Sequence, residues 1–274
     1  MIGVIAGDVI GSAYEHRATK AVEFPLFDER SRFTDDTVMT VATARAILEG
    51  VPYQQVYREL GRRYPDAGYG GSFFGWLHAP EPRPYNSWGN GSAMRVAPIG
   101  LAFDTVADVL REAERSAAVT HNHPEGVKGA QATALAVFLA RTGASKAEIR
   151  KELSRRFGYN LRRTVDEIRP TYTFDVSCQG SVPEAIVAFL DSRSVEGAIR
   201  LAISLGGDSD TQAAIAGGIA HAFYGHVPES IDVAVRKRLP EEFLDVIDAF
   251  ERAYPVTGPV SDREAEREVW LADR

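Results

Sequence analysis

Apolar residues recur at intervals of three and four positions along most of this chain, the spacing typical of amphipathic α-helices. Alternating apolar and polar residues, the pattern of a strand, occur only in short isolated pieces such as residues 172–176. The helical pattern is clearest in six Ala-rich stretches: residues 36–48, 105–119, 124–141, 182–190, 195–205 and 211–224. The pattern therefore predicts an all-α fold.

Several helices are predicted from residues typical of a helix N-terminus. These are Asp104 before Thr105, Ser145 with Glu148, Ser181 with Glu184, and Pro240 followed by Glu241 and Glu242. Pro, Gly, Asn and Ser collect between the helical stretches and predict loops at residues 64–71, 79–91, 169–180 and 254–260. The acidic segment at residues 261–274 predicts a last amphipathic helix.

Composition narrows the class of protein. No stretch of linker composition divides the 274 residues, so we expect one domain, residues 1–274, and a monomer. The formal net charge of -7 argues against binding to duplex nucleic acid. The apolar run at residues 2–10 contains Asp8 and lacks a basic leader, so neither a membrane span nor a signal peptide is predicted. A single cysteine, Cys178, leaves no disulfide or thiolate metal site within the chain and favours the cytoplasm.

Two acidic runs lie far apart in the sequence, each at the start of a predicted helix. The first is Thr-Asp-Asp-Thr at residues 34–37, and the second is Gly-Gly-Asp-Ser-Asp-Thr at residues 206–211. A fold that brought both helix starts together would gather four carboxylates and several Thr hydroxyls, the hard oxygen ligands that Mg²⁺ and Mn²⁺ accept. The alternative is two ordinary helix N-termini, with Thr34 as an N-cap and the acidic residues beside the positive end of the helix dipole.

The first predicted helix carries Gly3, Gly7 and Gly11 at four-residue spacing, and each Gly costs about 1 kcal/mol of helix propensity relative to Ala. Glycines on one stripe let another helix approach closely. Asp8 and Glu15 are seven residues apart and fall nearly on one face, which can point toward the acidic runs. The alternative is that the glycines pack in an ordinary core and Glu15 is a solvated helix end.

Two further segments combine turn-forming residues with polar side chains. Residues 86–95 precede an apolar helix start, and exposed backbone N–H groups there predict a nest for phosphate, the alternative being an ordinary loop. This segment lacks the Lys-Ser/Thr ending of a nucleotide P-loop and the spacing of a dinucleotide fingerprint. Residues 120–126 place His121 and His123 at a helix entry. Without a third His or Cys, ligand contact or loop hydrogen bonding is favoured over zinc.

Five motifs resemble those of a known family when they are taken in chain order. They are GDVIGSAYE at residues 7–15, FTDDT at 33–37, GNGSAMR at 89–95, THNHPEG at 120–126 and GGDSDT at 206–211. They resemble the ADP-ribosylglycohydrolase family, which includes dinitrogenase-reductase-activating glycohydrolase and the ADP-ribosyl-acceptor hydrolases. The resemblance extends from residue 3 to about residue 225, and five motifs in family order are far more specific than any one of them.

The resemblance implies a compact bundle of many helices with two Mg²⁺ or Mn²⁺ ions in a central cleft, and hydrolysis of the glycosidic bond between ADP-ribose and an acceptor. The metal ligands that it implies are Thr34, Asp35, Asp36, Asp208, Asp210 and Thr211. The family pattern also implies that Glu15 coordinates metal or acts on the water or the leaving group. Which of the four candidate catalytic carboxylates moves the proton stays open: Glu15, Asp35, Asp36 and Asp210.

The resemblance also implies the substrate contacts. Residues 89–92 would cradle the diphosphate and ribose, and His121 would contact the ADP-ribose. The full set of expected substrate-binding residues is Ser87, Trp88, Gly89, Asn90, Gly91, Ser92, Met94 and His121. Bound divalent ions can hold ribose hydroxyls and orient a water at the anomeric carbon, while carboxylates stabilise a cation-like ribose.

The acceptor and the class of activity have alternatives. Residues 89–97 and 181–183 resemble members that cleave serine-linked or free ADP-ribose conjugates, whereas residues 120–124 resemble arginine-directed members. Arginine-linked, serine-linked and small conjugates of ADP-ribose all stay candidates. Two other classes are a metal-dependent phosphohydrolase that cuts a pyrophosphate and a non-catalytic, crystallin-like relative. Both acidic runs are complete, which favours an enzyme.

Overall fold

Residues 1–256 are the part of the chain that the computed structural model describes, and they form fourteen α-helices. In order these are α1 Ile2–Gly11, α2 Asp35–Glu49, α3 Tyr53–Arg63, α4 Gly71–His78, α5 Ala97–Ala102, α6 Val106–Ala118, α7 Pro124–Arg141, α8 Lys146–Phe157, α9 Val165–Ile168, α10 Cys178–Asp191, α11 Val195–Ser204, α12 Ser209–Tyr224, α13 Glu229–Arg236 and α14 Glu241–Ala253. A 3₁₀ turn at Asn90–Ser92 precedes α5. The helix predicted at residues 261–274 lies outside the described residues.

The described part of the chain contains no β-strand, and its β-type pairing is limited to one antiparallel bridge between Gly89 and Ser177. The all-α prediction is therefore confirmed. None of the helices within residues 1–256 has the length and apolar composition needed to cross a bilayer.

Helices α1 and α12 pack against each other at the centre of the fold, and every residue of α1 is buried. The two helices run antiparallel, since Gly3 lies against Gly217 and Gly11 lies against Asp210. A Cβ atom at Gly7 would lie only 2.1 Å from the carbonyl oxygen of Ala213. The glycine stripe therefore permits close helix approach, and this contact sets the C-terminal end of α1 beside the first turn of α12.

The surrounding helices complete the frame of the site. Helix α12 also packs against α11, α10 and α7, and α2 packs against α14, α3 and α5. Because α1 contacts both α2 and α12, the N-terminal ends of those two helices are brought to the same end of α1. The two acidic runs occupy these N-terminal ends.

Two of the four predicted helix starts are confirmed. Ser145 and Glu148 form a reciprocal capping box at the start of α8, in which the Ser145 backbone N–H donates to Glu148 at 2.9 Å. Pro240 is the N-cap of α14, and Glu241 and Glu242 occupy its first turn.

The other two predicted starts are wrong in position. Thr105 rather than Asp104 is the N-cap of α6, because the Thr105 hydroxyl accepts the Asp108 backbone N–H at 3.1 Å. Helix α10 begins one turn before Ser181, because the Ser177 hydroxyl accepts the Gly180 backbone N–H at 3.1 Å.

We predict that Gly7→Ala lowers the free energy of unfolding by about 2 kcal/mol or more, because the new methyl group collides with the backbone of α12. A matched control is Gly75→Ala in α4, where nothing lies within 4 Å of the added Cβ atom. This control removes a helix-breaking residue from an exposed position and should stabilise by about 0.5–1 kcal/mol. Thermal or urea unfolding measures both, and equal effects of the two substitutions would contradict the packing of α1 on α12.

Candidate functional site

Carboxylates from three helices converge where α1 ends and where α2 and α12 begin. Ligand oxygens of Asp8, Asp36 and Asp210 lie within 4.8 Å of one another, and oxygens of Glu15, Asp208 and Asp210 form a second group of the same kind. The two groups share Asp210. The fold thus joins the two acidic runs, and it adds Asp8 and Glu15 from the first helix and the turn after it.

Asp8 is fully buried and fixes the start of α2. Its Oδ1 accepts the Thr34 hydroxyl at 2.7 Å, and its Oδ2 accepts the backbone N–H groups of Thr34 at 2.9 Å and Thr37 at 3.0 Å. The Thr37 hydroxyl also donates to Oδ2. The Thr34 hydroxyl, which the resemblance implies as a metal ligand, is therefore engaged with Asp8 and also accepts the Asp36 backbone N–H as the α2 N-cap.

Asp36 presents a buried oxygen that has no protein partner among the described residues. Its Oδ2 accepts the Thr211 hydroxyl at 3.1 Å, whereas Oδ1 accepts no hydrogen bond. Burial, followed by the charges of Asp8, Asp35 and Asp208, raises the pKa of Asp36 well above its usual range. An unsatisfied buried carboxylate oxygen is costly, and a divalent cation would satisfy it.

Asp208 and Asp210 lie at the start of α12, and both belong to the carboxylate cluster. Asp208 occupies the N-cap position of α12, but its side chain makes no capping hydrogen bond and instead accepts the Asn90 amide at 2.8 Å. Asp210 accepts the Thr211 backbone N–H at 3.1 Å. Burial, then Asp208 and Asp36, raises the pKa of Asp210 well above its usual range. Asp208 therefore does not cap α12, whereas Asp210 both joins the cluster and accepts a first-turn N–H of α12.

Asp35 and Glu15 are the two carboxylates of the cluster that are partly exposed to the cavity. Burial, then Asp8 and Asp208, raises the pKa of Asp35 to about 8. Burial also raises the pKa of Glu15, and Asp208 adds to this effect. Six carboxylates thus repel one another in a poorly solvated place, and their all-oxygen donor set fits hard divalent cations.

A cavity of about 390 Å³ opens beside the carboxylate cluster. Most of the residues expected from the sequence line it, and these are Glu15, Asp35, Asp36, Ser87, Gly89, Asn90, Gly91, Met94, His121, Asp208, Asp210 and Thr211. Asn90 joins the two parts of the site, since its amide donates both to Asp208 and to the Ser181 hydroxyl. Residues 89–92, the glycine-rich segment, are therefore held directly against the acidic cluster.

Three expected residues do not line the cavity. Thr34 lies behind the cluster against Asp8, as described above. The buried Ser92 hydroxyl donates to the Gly126 carbonyl oxygen at 2.7 Å and so ties the glycine-rich segment to α7. Trp88 is 52% exposed, and its ring packs edge-on against His123 at 5.8 Å between centroids.

The two histidines of residues 120–126 have different roles. His123 is the N-cap of α7, because its Nδ1 accepts the Glu125 backbone N–H at 3.1 Å. His121 is buried against the cavity, and its Nδ1 lies 2.7 Å from the Thr120 hydroxyl. Burial, then the nearby charge of Arg95, lowers the pKa of His121 well below its usual range, so the ring is neutral at pH 7.

Sequence reasoning missed several cavity residues. Those not anticipated are Met39, Gly68, Gly70, Gly71, Ser72, Phe73, Tyr85, Arg95, Phe174 and Val176. Most lie in or next to segments that the sequence marks as loops, at residues 64–71, 79–91 and 169–180. A signal for Phe174 and Val176 was present, since apolar side chains in a Pro- and Gly-containing loop are unusual unless they cover something.

Known proteins resemble this chain both in sequence and in fold. A family model described as ADP-ribosylglycohydrolase matches residues 1–259. ADP-ribosylhydrolase ARH3 of Mus musculus is 30% identical over 312 residues, which cover 84% of this chain and 84% of that protein. ADP-ribosylarginine hydrolase Tri1 of Pseudomonas putida (strain GB-1) is 31% identical over 162 residues, which cover 55% of this chain and 42% of that protein. A solved structure of an ADP-ribosylglycohydrolase-related protein complex is 26% identical, with a TM-score of 0.71 over 92% of this chain and 95% of that chain.

We predict that Mg²⁺ or Mn²⁺ raises the thermal unfolding midpoint, and by more at pH 8 than at pH 6. Folding raises the carboxylate pKa values above the unfolded value of 3.8, for Asp35 to about 8, so the metal-free protein loses stability as pH rises from about 4 to 8. A cation binds the ionised forms and must displace these protons at the lower pH.

Calorimetric or dye-based melting with each metal and with EDTA measures this difference. Asp36→Asn should abolish most of the metal-induced shift, whereas Asp104→Asn, at an exposed carboxylate remote from the cluster, should leave it unchanged. A metal-induced shift that is the same at both pH values, or that survives in Asp36→Asn, would contradict the assignment of this cluster.

Proposed function

The chain belongs to the ADP-ribosylglycohydrolase family, and from this premise we propose that it hydrolyses the glycosidic bond between ADP-ribose and an acceptor and releases ADP-ribose. Membership confirms the resemblance carried by the five motifs. The observation that supports the proposal best is the set of buried carboxylates bordering the same cavity as the glycine-rich segment. An acidic cluster suits a cationic reaction centre. Two backbone N–H groups of the predicted phosphate nest already have protein acceptors, since Gly89 donates to the Ser87 hydroxyl at 3.1 Å and Asn90 donates to the Val176 carbonyl oxygen at 2.8 Å.

We propose two divalent cations, Mg²⁺ or Mn²⁺, as the cofactor. The residues that would hold them are Glu15, Asp35, Asp36, Asp208, Asp210 and Thr211. The two carboxylate groups that share Asp210, and the unpartnered Oδ1 of Asp36, support this number and this location. When bound, the cations supply positive charge that fixes the ribose hydroxyls and polarises water.

The protein residues themselves position the substrate loop, stabilise charge and orient the first turn of α2. Asn90 is held by Asp208 and Ser181, so the loop at residues 89–91 keeps a fixed distance from the acidic cluster. The negative charge of the cluster favours the positive charge that develops on the ribose as the glycosidic bond breaks. Asp8 contributes indirectly, because its hydrogen bonds to Thr34 and Thr37 set the direction of the first turn of α2.

We propose Glu15 as the carboxylate that moves the proton. It follows the end of α1, borders the cavity and is only half-buried, so that a water and a leaving group can reach it. Its only side-chain ion pair among the described residues is a 3.7 Å contact with the exposed His16. Burial raises the pKa of Glu15, and the charge of Asp208 raises it further.

The acceptor stays among three candidates: an arginine-linked ADP-ribose, a serine-linked ADP-ribose and a small ADP-ribosyl conjugate. The similarity to an ADP-ribosylarginine hydrolase supports the first, although it spans 55% of this chain.

We also propose a monomeric, cytoplasmic protein, and the buried free thiol of Cys178 supports a reducing compartment.

Hydrolysis is tested by incubating the protein with arginine- and serine-linked ADP-ribosyl peptides, with Mg²⁺ and with EDTA, and by identifying the products by mass. We expect intact ADP-ribose to be released from at least one linkage, in the metal-containing reaction alone. Release of AMP would identify a phosphohydrolase that cuts the pyrophosphate. Absence of any product from both peptides would contradict the proposal for protein-linked substrates and favour a non-catalytic relative.

We predict that Glu15→Gln lowers kcat by about 100-fold or more, because it removes the proton-transferring group while keeping the size of the side chain. Binding of ADP-ribose, followed by calorimetry, should change far less than kcat. The control is Glu23→Gln, since the Glu23 side chain is 90% exposed and lies in the same loop region. A Glu15→Gln enzyme with normal kcat would transfer the role to Asp35, Asp36 or Asp210.

A further inference from the structure

Arg95 is a completely buried arginine that has no carboxylate within ion-pair distance among the described residues. Its guanidinium donates to the Ser116 carbonyl oxygen at 2.8 Å and to the Thr120 hydroxyl at 3.0 Å, while its Nε has no acceptor. A buried charge without a counter-ion is costly, and an arginine cannot avoid that cost by losing its proton. Because Arg95 also lines the cavity, a role in the site would explain why a buried charge is placed there.

The charge of Arg95 is compensated by dipoles rather than by an anion. Ser116 lies in the last turn of α6, whose carbonyl oxygens form the negative end of the helix dipole. The Tyr57 ring faces the guanidinium with its centroid at 4.5 Å. The Tyr57 hydroxyl is in turn fixed by Ser116 and Thr43 at 2.7 and 2.8 Å. The guanidinium is thus held rigidly in one orientation, aimed at the Thr120 hydroxyl.

Once the oxygen of the Thr120 hydroxyl accepts a hydrogen bond from Arg95, the proton of that hydroxyl still needs an acceptor. Thr120 is fully buried, and apart from Arg95 its hydroxyl contacts Nδ1 of His121, at 2.7 Å. If Nδ1 carried a proton, the hydroxyl oxygen would face two donors and its own buried proton would have no acceptor. The hydroxyl proton must therefore point at Nδ1, which leaves Nδ1 as an acceptor.

The other ring nitrogen of His121 faces the glycine-rich segment of the cavity. A Cβ atom added at Gly91 would lie 3.3 Å from Nε2, and one added at Gly89 would lie 3.6 Å from it. Nε2 has no hydrogen-bond partner within residues 1–256, although the whole residue is 5% exposed. Nε2 therefore borders the cavity and is available for a hydrogen bond with a ligand.

We propose that Arg95 and Thr120 are positioning residues that hold His121 as the neutral tautomer protonated on Nε2, so that it donates a hydrogen bond to an oxygen of the bound ligand. The positive charge of Arg95 also opposes a second positive charge on the ring, which keeps His121 neutral. The tautomer itself follows from the protein alone. The identity of the ligand oxygen, in a phosphate or ribose of ADP-ribose, rests on the proposed function.

The tautomer is tested directly by long-range ¹H–¹⁵N correlation spectra of the full chain labelled with ¹⁵N-histidine. The chain has six histidines, and the His121 signals are assigned by their loss in His121→Gln. We expect a neutral ring at pH 7 with the proton on Nε2, without any substrate present. A proton on Nδ1, or a doubly protonated ring, would overturn the proposal.

Substitution of Thr120 tests its part in this arrangement. Thr120→Val keeps the shape but removes the hydroxyl, so we expect a shift toward the other tautomer and a Kd for ADP-ribose that rises about tenfold, the value of one hydrogen bond. Thr120→Ser keeps the hydroxyl and should restore both the tautomer and the affinity. If Thr120→Val leaves the tautomer of His121 unchanged, Thr120 has only a packing role.

The two proposals fail in different experiments. Absence of hydrolysis together with an Nε2-protonated His121 would reject the proposed function and leave the tautomer assignment standing. Hydrolysis together with an Nδ1-protonated ring would reject the assignment alone. If Thr120→Val does not fold, the spectrum of the unmodified protein and that of Thr120→Ser still decide the question.

Discussion

Mutual repulsion among buried carboxylates is the constraint on which the rest of this structure depends. Asp8, Asp36, Asp208 and Asp210 lie in a poorly solvated place at the junction of α1, α2 and α12. Burial raises the pKa of all four carboxyl groups, and repulsion by neighbouring carboxylates adds to the rise at Asp36 and Asp210. Hydrogen bonds satisfy Asp8 and part of Asp208, but they leave an oxygen of Asp36 without a donor. Such an arrangement is stable at neutral pH only if protons or cations are held there.

The helices provide the precision that this cluster needs. Contact between the glycine stripe of α1 and the backbone of α12 fixes the position of Asp8 relative to Asp210 along the two helix axes. The hydrogen bonds that Asp8 accepts from Thr34 and Thr37 then fix the first turn of α2. Asn90 extends the same network to the glycine-rich segment. Next to that segment, Arg95 donates to the Thr120 hydroxyl, which in turn contacts Nδ1 of His121. The cavity is therefore bordered by groups whose orientation is determined before any ligand arrives.

Much of this could be predicted from the sequence, for physical reasons. Helical periodicity and the capping box at Ser145 are local, so they specified the all-α class and several helix positions. The start of α10 was wrongly predicted at Ser181, because the N-cap residue, Ser177, lies in a segment without a helical pattern. The role of Arg95 was not predictable, since it depends on contacts with distant segments. The resemblance singled out His121, whereas the role of His123 as the N-cap of α7 required the fold.

The proposed function requires that Glu15, Asp35, Asp36, Asp208 and Asp210 bind two divalent cations beside the cavity. An anomalous difference map from a crystal of the protein grown with Mn²⁺ tests this requirement. We expect two peaks, one near Asp36 and Asp210 and the other near Glu15, Asp208 and Asp210. A map with no peak at this junction, at a Mn²⁺ concentration that occupies other sites, would contradict the claim.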